Sequence, residues 1–279
     1  CSETTPGLTN LCPGAYSVDI TDNAGCTQTF NYLINNANGP TLTTQGIDVT
    51  CFGDCDGLAF TAVGAGTGPF IFQWDDPVPT ANDSATSLCA GLYNIVVQDA
   101  LGCITVDSIT INQPSEILAN ATFTEPTCNG ICDGTATVSP TDGTGPYTVS
   151  WDGAPPIAIA IGASNTITGL CSGAHTALIT DGNNCTITED ITLTNPTPIS
   201  ITASASSVSC NGDCDGTAIA NASGGSPGYA YSWNTVPVQN NLLIGALCPG
   251  NYTVTVTDNN GCTNTANVTV IDPPVLTTT

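Results

Sequence analysis

The sequence predicts an all-β chain, a tandem array of small two-layered sandwich domains braced by disulfides. Three observations predict it. A block bearing cysteines and a tryptophan recurs at fixed spacing. The hydrophobic residues inside each block alternate with a period of two, the pattern of a half-buried strand, and no amphipathic helix pattern is evident. Fifteen cysteines stand in a 279-residue chain that is 41% hydrophobic and only 8% charged, so the material for cores and for covalent braces is present together.

The repetition sets the organisation. Cys51-Phe-Gly-Asp-Cys55-Asp-Gly, Cys128-Asn-Gly-Ile-Cys132-Asp-Gly and Cys210-Asn-Gly-Asp-Cys214-Asp-Gly are copies of one another, and Trp74, Trp151 and Trp233 each follow the first cysteine at one offset (74−51, 151−128 and 233−210 agree). A third cysteine comes next (Cys89, Cys171, Cys248), and a fourth (Cys103, Cys185, Cys262) follows it at a constant offset, since 103−89, 185−171 and 262−248 agree. Cys12 and Cys26 keep that same separation, so residues 1–40 read as the C-terminal half of a truncated repeat. From each fourth cysteine to the next block the distance is again constant, because 51−26, 128−103 and 210−185 agree. Only the tryptophan-to-third-cysteine distance varies. It is equal in two repeats (89−74 and 248−233) and longer by five in the middle one (171−151), which marks a loop or edge connection. Three full repeats follow the half repeat, at 41–115, 116–198 and 199–279.

Each element can be justified in turn. Asn251-Tyr-Thr-Val-Thr-Val-Thr-Asp258 puts Tyr252, Val254 and Val256 on one face, and the matching segments put Tyr16/Val18/Ile20, Tyr93/Ile95/Val97 and His175/Ala177/Ile179 inward. Turns such as Asp22-Asn-Ala-Gly25 and Asp258-Asn-Asn-Gly261 then lead through the fourth cysteine into another alternating strand, a hairpin signature. Ahead of each tryptophan, Phe70/Phe72, Tyr147/Val149 and Tyr229/Tyr231 share its face. Roughly seven short strands with a central tryptophan predict an immunoglobulin-like sandwich, and the Gly-x-Tyr opening the penultimate strand resembles a tyrosine corner. Prolines at Pro40, Pro114, Pro196, Pro198, Pro273 and Pro274 make the junctions short, so a semi-rigid array is expected.

Charge narrows the function classes. There are 23 Asp and Glu, one His and no Lys or Arg, for a formal charge of −23, where an average chain this long carries about thirty Lys and Arg. Nucleic-acid binding is excluded for want of cations to neutralise phosphates, and attraction to anionic lipid headgroups fails likewise. No side-chain salt bridge is expected, and trypsin-like proteases find no cleavage site. No apolar run approaches a transmembrane helix and no signal peptide is present. The chain reads as a window of a longer exported protein, its cysteines implying an oxidising, extracellular setting.

At Cys-Asn-Gly-x-Cys-Asp-Gly-Thr-Ala, Gly-x-Pro-Tyr…Trp and Gly-x-Tyr-x-Val-x-Val-x-Asp-x-x-Gly-Cys, the chain resembles the SprB-type repeat of large Bacteroidota surface adhesins and gliding-motility proteins. The resemblance covers essentially the whole chain. It implies export by the type IX system, cell-surface display and an adhesive or filament-forming role. The extra cysteine pair departs from ordinary copies of that repeat.

Disulfides are the expected use of Cys51, Cys55, Cys89, Cys103, Cys128, Cys132, Cys171, Cys185, Cys210, Cys214, Cys248 and Cys262; zinc would need a second close pair or a histidine in register. The third and fourth cysteines flank a strand of about eight residues, roughly 25 Å, so they cannot bond each other, because a disulfide needs Cα atoms within about 7 Å. Counting strands up and down places the Cys-x3-Cys turn and the third cysteine at one end. One of Cys51/Cys55 then bonds Cys89, one of Cys128/Cys132 bonds Cys171, and one of Cys210/Cys214 bonds Cys248. The fourth cysteine, at the opposite end, has two alternatives: a cross-link to the preceding repeat (Cys185 to the Cys51/Cys55 turn, Cys262 to the Cys128/Cys132 turn), or closure inside its own repeat. Cys1 has no counterpart.

Other candidates are weaker. Asp54, Asp56, Asp213 and Asp215 resemble the start of a calcium loop, against the simpler reading of an Asp-Gly turn; no other cofactor is implied. His175 occupies a tyrosine slot and reads as a structural stand-in. No nucleophile elbow, phosphate loop or metalloprotease signature appears, so no enzyme is expected. Ile157, Ile159 and Ile161 read either as an edge strand open to a neighbouring chain or as core. Ser84 and Ser108 resemble acceptors for Bacteroidota O-glycosylation. The expected function is a structural and adhesive surface segment, a stalk or filament, with neighbouring repeats or copies of the same protein, and possible surface polysaccharide, as partners. The alternative is a calcium-assisted polysaccharide-binding module.

Overall fold

The computed structural model describes residues 11, 14–34, 39–76 and 81–275. Cys1 and Cys12 lie outside them. Among the described residues there are 21 strands and no helix, as an alternating, Thr- and Val-rich sequence dictates.

Strands β1 (Gly14–Thr21) and β2 (Thr27–Ile34) form a two-stranded antiparallel sheet. Then β3 (Thr41–Ile47), β4 (Gly57–Ala65), β5 (Ile71–Trp74), β6 (Ser84–Leu88), β7 (Gly91–Gln98) and β8 (Ile104–Ile111) sort into two sheets, ordered β3-β4-β6 and β5-β7-β8. The third set is β9 (Thr122–Thr124), β10 (Gly134–Val138), β11 (Tyr147–Trp151), β12 (Ile157–Ile159), β13 (Asn165–Leu170), β14 (Gly173–Thr180) and β15 (Thr186–Leu193). It gives sheets β9-β10-β13 and β12-β11-β14-β15. The last set, β16 (Ser200–Ala205), β17 (Gly216–Ser223), β18 (Ala230–Trp233), β19 (Leu243–Leu247), β20 (Gly250–Thr257) and β21 (Thr263–Val270), gives β16-β17-β19 and β18-β20-β21. Strands one, two and four of each six-stranded set share a sheet, and three, five and six share the other. That is the immunoglobulin-like arrangement, with β12 as an added edge strand in the middle set.

The alternation buries what period two demands. Trp74, Ala59, Leu88, Ile95, Val97 and Ile111 fill one core; Trp233, Ala218, Leu247, Val254, Val256 and Val270 fill another. In the middle set Val138, Val149, Trp151, Ala177 and Ile179 are buried. Each indole N–H finds an acceptor: Trp74 Nε1 donates to Asn82 O at 3.2 Å, Trp151 to Asn165 Oδ1 at 2.7 Å and Trp233 to Asn241 O at 3.0 Å. Those bonds let a polar-tipped ring sit at the centre.

The described residues group into two compact units. One comprises those up to Leu118 with Asp142–Gly145 and Thr180–Cys185; the other comprises Ala119–Thr141, Pro146–Ile179 and those from Thr186 onward. The turn between β14 and β15 therefore belongs with the first unit. There Gly182 N donates to Thr144 O at 2.6 Å, and Gly143 N to Ser115 Oγ at 3.2 Å.

Two expectations need correction, and one open alternative is decided. Val18 and Ile20 are 39% and 59% exposed, because no second sheet covers β1-β2 among the described residues. The Ile157–Ile161 segment is an edge: only Ile159 turns inward at 7% exposure, while Ile157 and Ile161 are 52% and 72% exposed. A side-chain ion pair does exist, since His175 Nδ1 lies 2.9 Å from Asp152 Oδ2; histidine supplies the cation that lysine and arginine do not.

Candidate functional site

The chemistry-bearing residues gather at the ends of the sandwiches, where two recurrent devices meet. The first is the Cys-x3-Cys turn. The aspartate after its second cysteine reaches back across it: Asp56 Oδ1 accepts Thr50 N at 2.9 Å, Asp133 Oδ1 accepts Thr127 N at 2.8 Å, and Asp215 Oδ1 accepts Ser209 N at 2.9 Å. Hydrogen bonds from the Thr50, Thr127 and Ser209 side chains and backbones hold these carboxyls below the usual aspartate range. Within the turn Asp54 N, Ile131 N and Asp213 N donate to Cys51 O, Cys128 O and Cys210 O at 3.2, 3.1 and 3.0 Å.

The glycine that follows is not a turn residue. Gly57, Gly134 and Gly216 open β4, β10 and β17. A Cβ on Gly216 would sit 2.7 Å from Val270 Cγ1 and 2.9 Å from Leu247 O, and Gly57 and Gly134 are similarly crowded. The Asp-Gly pair thus closes a turn with its carboxylate and admits a neighbouring strand with its bare backbone.

The second device is the hairpin tip carrying the fourth cysteine. Asp22, Asp99, Asp181 and Asp258 each accept, through Oδ1, the N–H of the residue two on and of the cysteine four on, at 2.8–3.0 Å. The residue before the cysteine is left-handed: Gly25, Gly102, Asn184 and Gly261 have φ of 86°, 82°, 67° and 83°, a conformation favoured by Gly and tolerated by Asn. Asp258 also accepts Ser226 N at 2.9 Å, and that bond leads the donors that lower its pKa. Sequence reading found this turn but missed the carboxylate's part; the Asp-x-x-Gly-Cys spacing is the signal that carries it.

The disulfides join the devices. Cys55–Cys89, Cys132–Cys171 and Cys214–Cys248 close within one repeat, over 34, 39 and 34 residues. Cys51–Cys185 and Cys128–Cys262 each span 134 residues, tying a Cys-x3-Cys turn to the tip of the following repeat with Cα–Cα distances of 5.5 and 5.6 Å. The Cys185 and Cys262 sulfurs rest 3.4 Å from Thr50 O and Thr127 O, the residues that Asp56 and Asp133 brace. Cys103 is disulfide-bonded too. Cys210, grouped with the disulfide cysteines on sequence, carries a free, exposed thiol, as does Cys26. Cys51 and Cys128 each take the fourth cysteine of the following repeat.

The third cysteine also anchors a tyrosine corner. Tyr93 Oη donates to Cys89 O at 3.0 Å and Tyr252 Oη to Cys248 O at 2.9 Å. His175 Nε2 lies 3.0 Å from Cys171 O, while its Nδ1 meets Asp152. With two acceptors facing one ring, the doubly protonated imidazolium fits best. The hydrogen bond to Asp152, then that to Cys171, raises the His175 pKa, and His175 in turn lowers that of Asp152.

Among the described residues no group of three or more His, Cys, Asp or Glu side chains converges to hold a metal ion. Asp56 and Asp215 already commit an oxygen to their turns. Asp54 makes its turn bond through its backbone, and Asp213 Oδ2 lies 3.5 Å from Ser209 Oγ. Ser84 opens β6 half-buried, and Ser108 is exposed on β8. Beside the Cys128–Cys262 bond a polar groove of about 780 Å³ is lined by residues including Glu125, Asn129, Pro196, Ser226, Asp258 and Asn264. Among the described residues no helix is long and apolar enough to cross a membrane.

Fold and junctions together define a tandem immunoglobulin-like array with covalent links from repeat to repeat. The chain carries SprB repeats: residues 120–155 and 202–238 match the family described as SprB repeat. SprB repeats belong to cell-surface proteins, and the disulfides fit an extracytoplasmic location. Solved structures similar to the chain include a three-domain immunoglobulin segment of titin, 12% identical over 84% of this chain and 98% of that one, with a TM-score of 0.35. Another is a tetra-tandem repeat from the extending region of a large adhesion protein, 16% identical over 94% and 83%, with a TM-score of 0.29. No curated protein matches the chain.

Proposed function

We propose that this chain is a non-enzymatic adhesin repeat segment, a covalently locked length of stalk or filament displayed on a bacterial surface, exported by a type IX route and serving attachment or gliding. The observation that carries the reading is the pair of interlaced 134-residue disulfides, Cys51–Cys185 and Cys128–Cys262. Catalysis or a single ligand site has no use for bonds that skip from repeat to repeat, whereas a load-bearing or protease-exposed tether does. The SprB repeats support surface display, and the missing Lys and Arg remove the cleavage sites of trypsin-like proteases.

Small-angle scattering of the chain before and after reduction tests this. The oxidised chain is expected to hold one sharply defined maximum dimension that broadens once the cysteines are reduced. Identical profiles in both states would overturn the stalk reading. The polar groove beside Cys128–Cys262 motivates a second reading, a module that grips surface polysaccharide. Binding on a glycan array that disappears on calcium chelation would favour it.

A further inference from the structure

We infer that the outer face of the β5-β7-β8 sheet is a docking surface for a second copy of this chain. This goes beyond the reading above, since it concerns association between copies rather than placement on a surface.

Period two sets what this face carries. Trp74, Ile95 and Val97 point into the core, so the residues alternating with them point out. Strand register puts Gln73, Val96 and Val106 in one row across the three strands, and Ile71, Gln98 and Ile104 in the next. Ile71, Ile104 and Val106 are 63%, 59% and 60% exposed. The sister repeats supply the comparison. Aligned on the tryptophan and the third cysteine, Ile71, Val96, Ile104 and Val106 correspond to Thr148, Leu178, Thr186 and Thr188 in the middle repeat and to Ala230, Thr255, Thr263 and Thr265 in the last. The last repeat builds the same three-stranded sheet, β18-β20-β21, with alanine and threonine at all four places. The sandwich therefore does not need four branched apolar side chains there. A contiguous apolar cluster on an exposed sheet face marks an interaction surface.

Charge chooses the occupant. The chain is −23 with no Lys or Arg, so a basic partner is drawn to its carboxylates, and these two rows hold none. Asp75, just past the end of β5, is held by Asn94 N and Nδ2 at 2.7 and 2.6 Å. Two copies repel wherever carboxylates meet, and they approach at least cost where neither face is charged. The glutamines give a second reason. Each amide both donates and accepts, so a copy brings matching groups to Gln73 and Gln98, whereas lipid tails or an apolar solid would bury them without partners. Because one patch meets itself, the contact is two-fold and closes at a dimer. Three strands about 4.8 Å apart, the longer two of 8 residues at about 3.3 Å each, give a face of at most roughly 400 Å². Each partner of a stable complex buries roughly 800 Å². The pair is therefore weak between free chains and is reinforced where many chains stand side by side.

Sedimentation equilibrium of the full oxidised chain tests this, with the Cys26 and Cys210 thiols first alkylated by iodoacetamide so that no new disulfide links copies. The weight-average mass is expected to climb toward that of a dimer as concentration approaches the millimolar range. Added salt, by screening the carboxylates, is expected to bring the climb to lower concentration. The variant Val96→Thr/Ile104→Thr/Val106→Thr changes only outward side chains, to the residues the last repeat carries, so the fold is kept. Its dissociation constant is expected to be at least about tenfold larger. The converse variant, Thr255→Val/Thr263→Ile/Thr265→Val, installs a second patch and is expected to form species larger than dimers. A mass that stays monomeric at every concentration, or association that both variants leave unchanged, would overturn the proposal. So would adsorption to octyl-agarose that the first variant abolishes while the mass stays monomeric, since the occupant is then an apolar solid. The scattering comparison that tests the stalk is read on dilute single chains, so failure there and failure here are distinguishable.

Discussion

Pull the chain from its two ends and the load between Cys51 and Cys262 does not follow the backbone. The backbone between them, about 211 residues (262−51), would extend to about 700 Å at ~3.4 Å per residue. The taut covalent path crosses Cys51–Cys185, runs back along the chain to Cys171, crosses to Cys132, continues to Cys128 and crosses to Cys262. Its two backbone stretches (185−171 and 132−128), about 18 residues together, extend to about 60 Å. The three bridges add 5.5, 3.9 and 5.6 Å between Cα atoms. Single-molecule force spectroscopy should therefore find this region capped at about 75 Å when oxidised and at about 700 Å when reduced. Cys171→Ser removes the middle crossing. Load then takes about 29 residues from Cys185 to Cys214 (214−185) and about 14 from Cys248 to Cys262 (262−248), and the cap rises to about 150 Å. Release of several hundred ångströms from the oxidised chain would refute the interlaced path.

Further expectations concern single residues. The His175 pKa is raised above its ordinary 6.5, so the stability it contributes is complete below that value and is lost as pH rises through the raised one; Asp152 is shifted the other way from 3.8. Melting temperature should thus fall as pH rises above 6.5, whereas His175→Tyr, which restores the Tyr93 and Tyr252 arrangement, should flatten that slope. Ser87 and Ala246 are left-handed (φ 59° and 56°) at the bulge before Leu88 and Leu247, where the middle repeat has Gly169 (φ 75°). Ala246→Gly should stabilise by about 0.5–1 kcal/mol, relief of the side-chain clash exceeding glycine's added unfolded-state entropy. Gly216→Ala, pressed against Val270 and Leu247 O, should destabilise by about 1–3 kcal/mol. Denaturant titration checks both.

The strand content could be read from the sequence because period two and a fixed tryptophan register leave few other ways to bury Ile95, Val97, Val254 and Val256. Spacing alone could not show whether Val18 and Ile20 are covered, since burial depends on a second sheet rather than on alternation. Nor could it place the Ile157–Ile161 run, where one residue of three faces inward. The Asp152 partner of His175 lies 23 residues away on another strand, beyond any local pattern. Likewise the two cysteines of Cys-x3-Cys are interchangeable in sequence. Only the folded turn sends Cys55 to its own repeat and Cys51 to the next.

That division of labour bears on how the chain matures. Cys55 meets its partner 34 residues on, whereas Cys51 must wait for one 134 residues on. Two doublings of loop length cost only about 1.2 kcal/mol in closure entropy, so the distant bond is hardly penalised at equilibrium. What distance imposes is order. As the chain emerges amino end first, each near bond can form before the distant partner exists. Every repeat then withdraws one of its paired thiols early and holds the other in reserve, which narrows the choices open to a newly arriving tip.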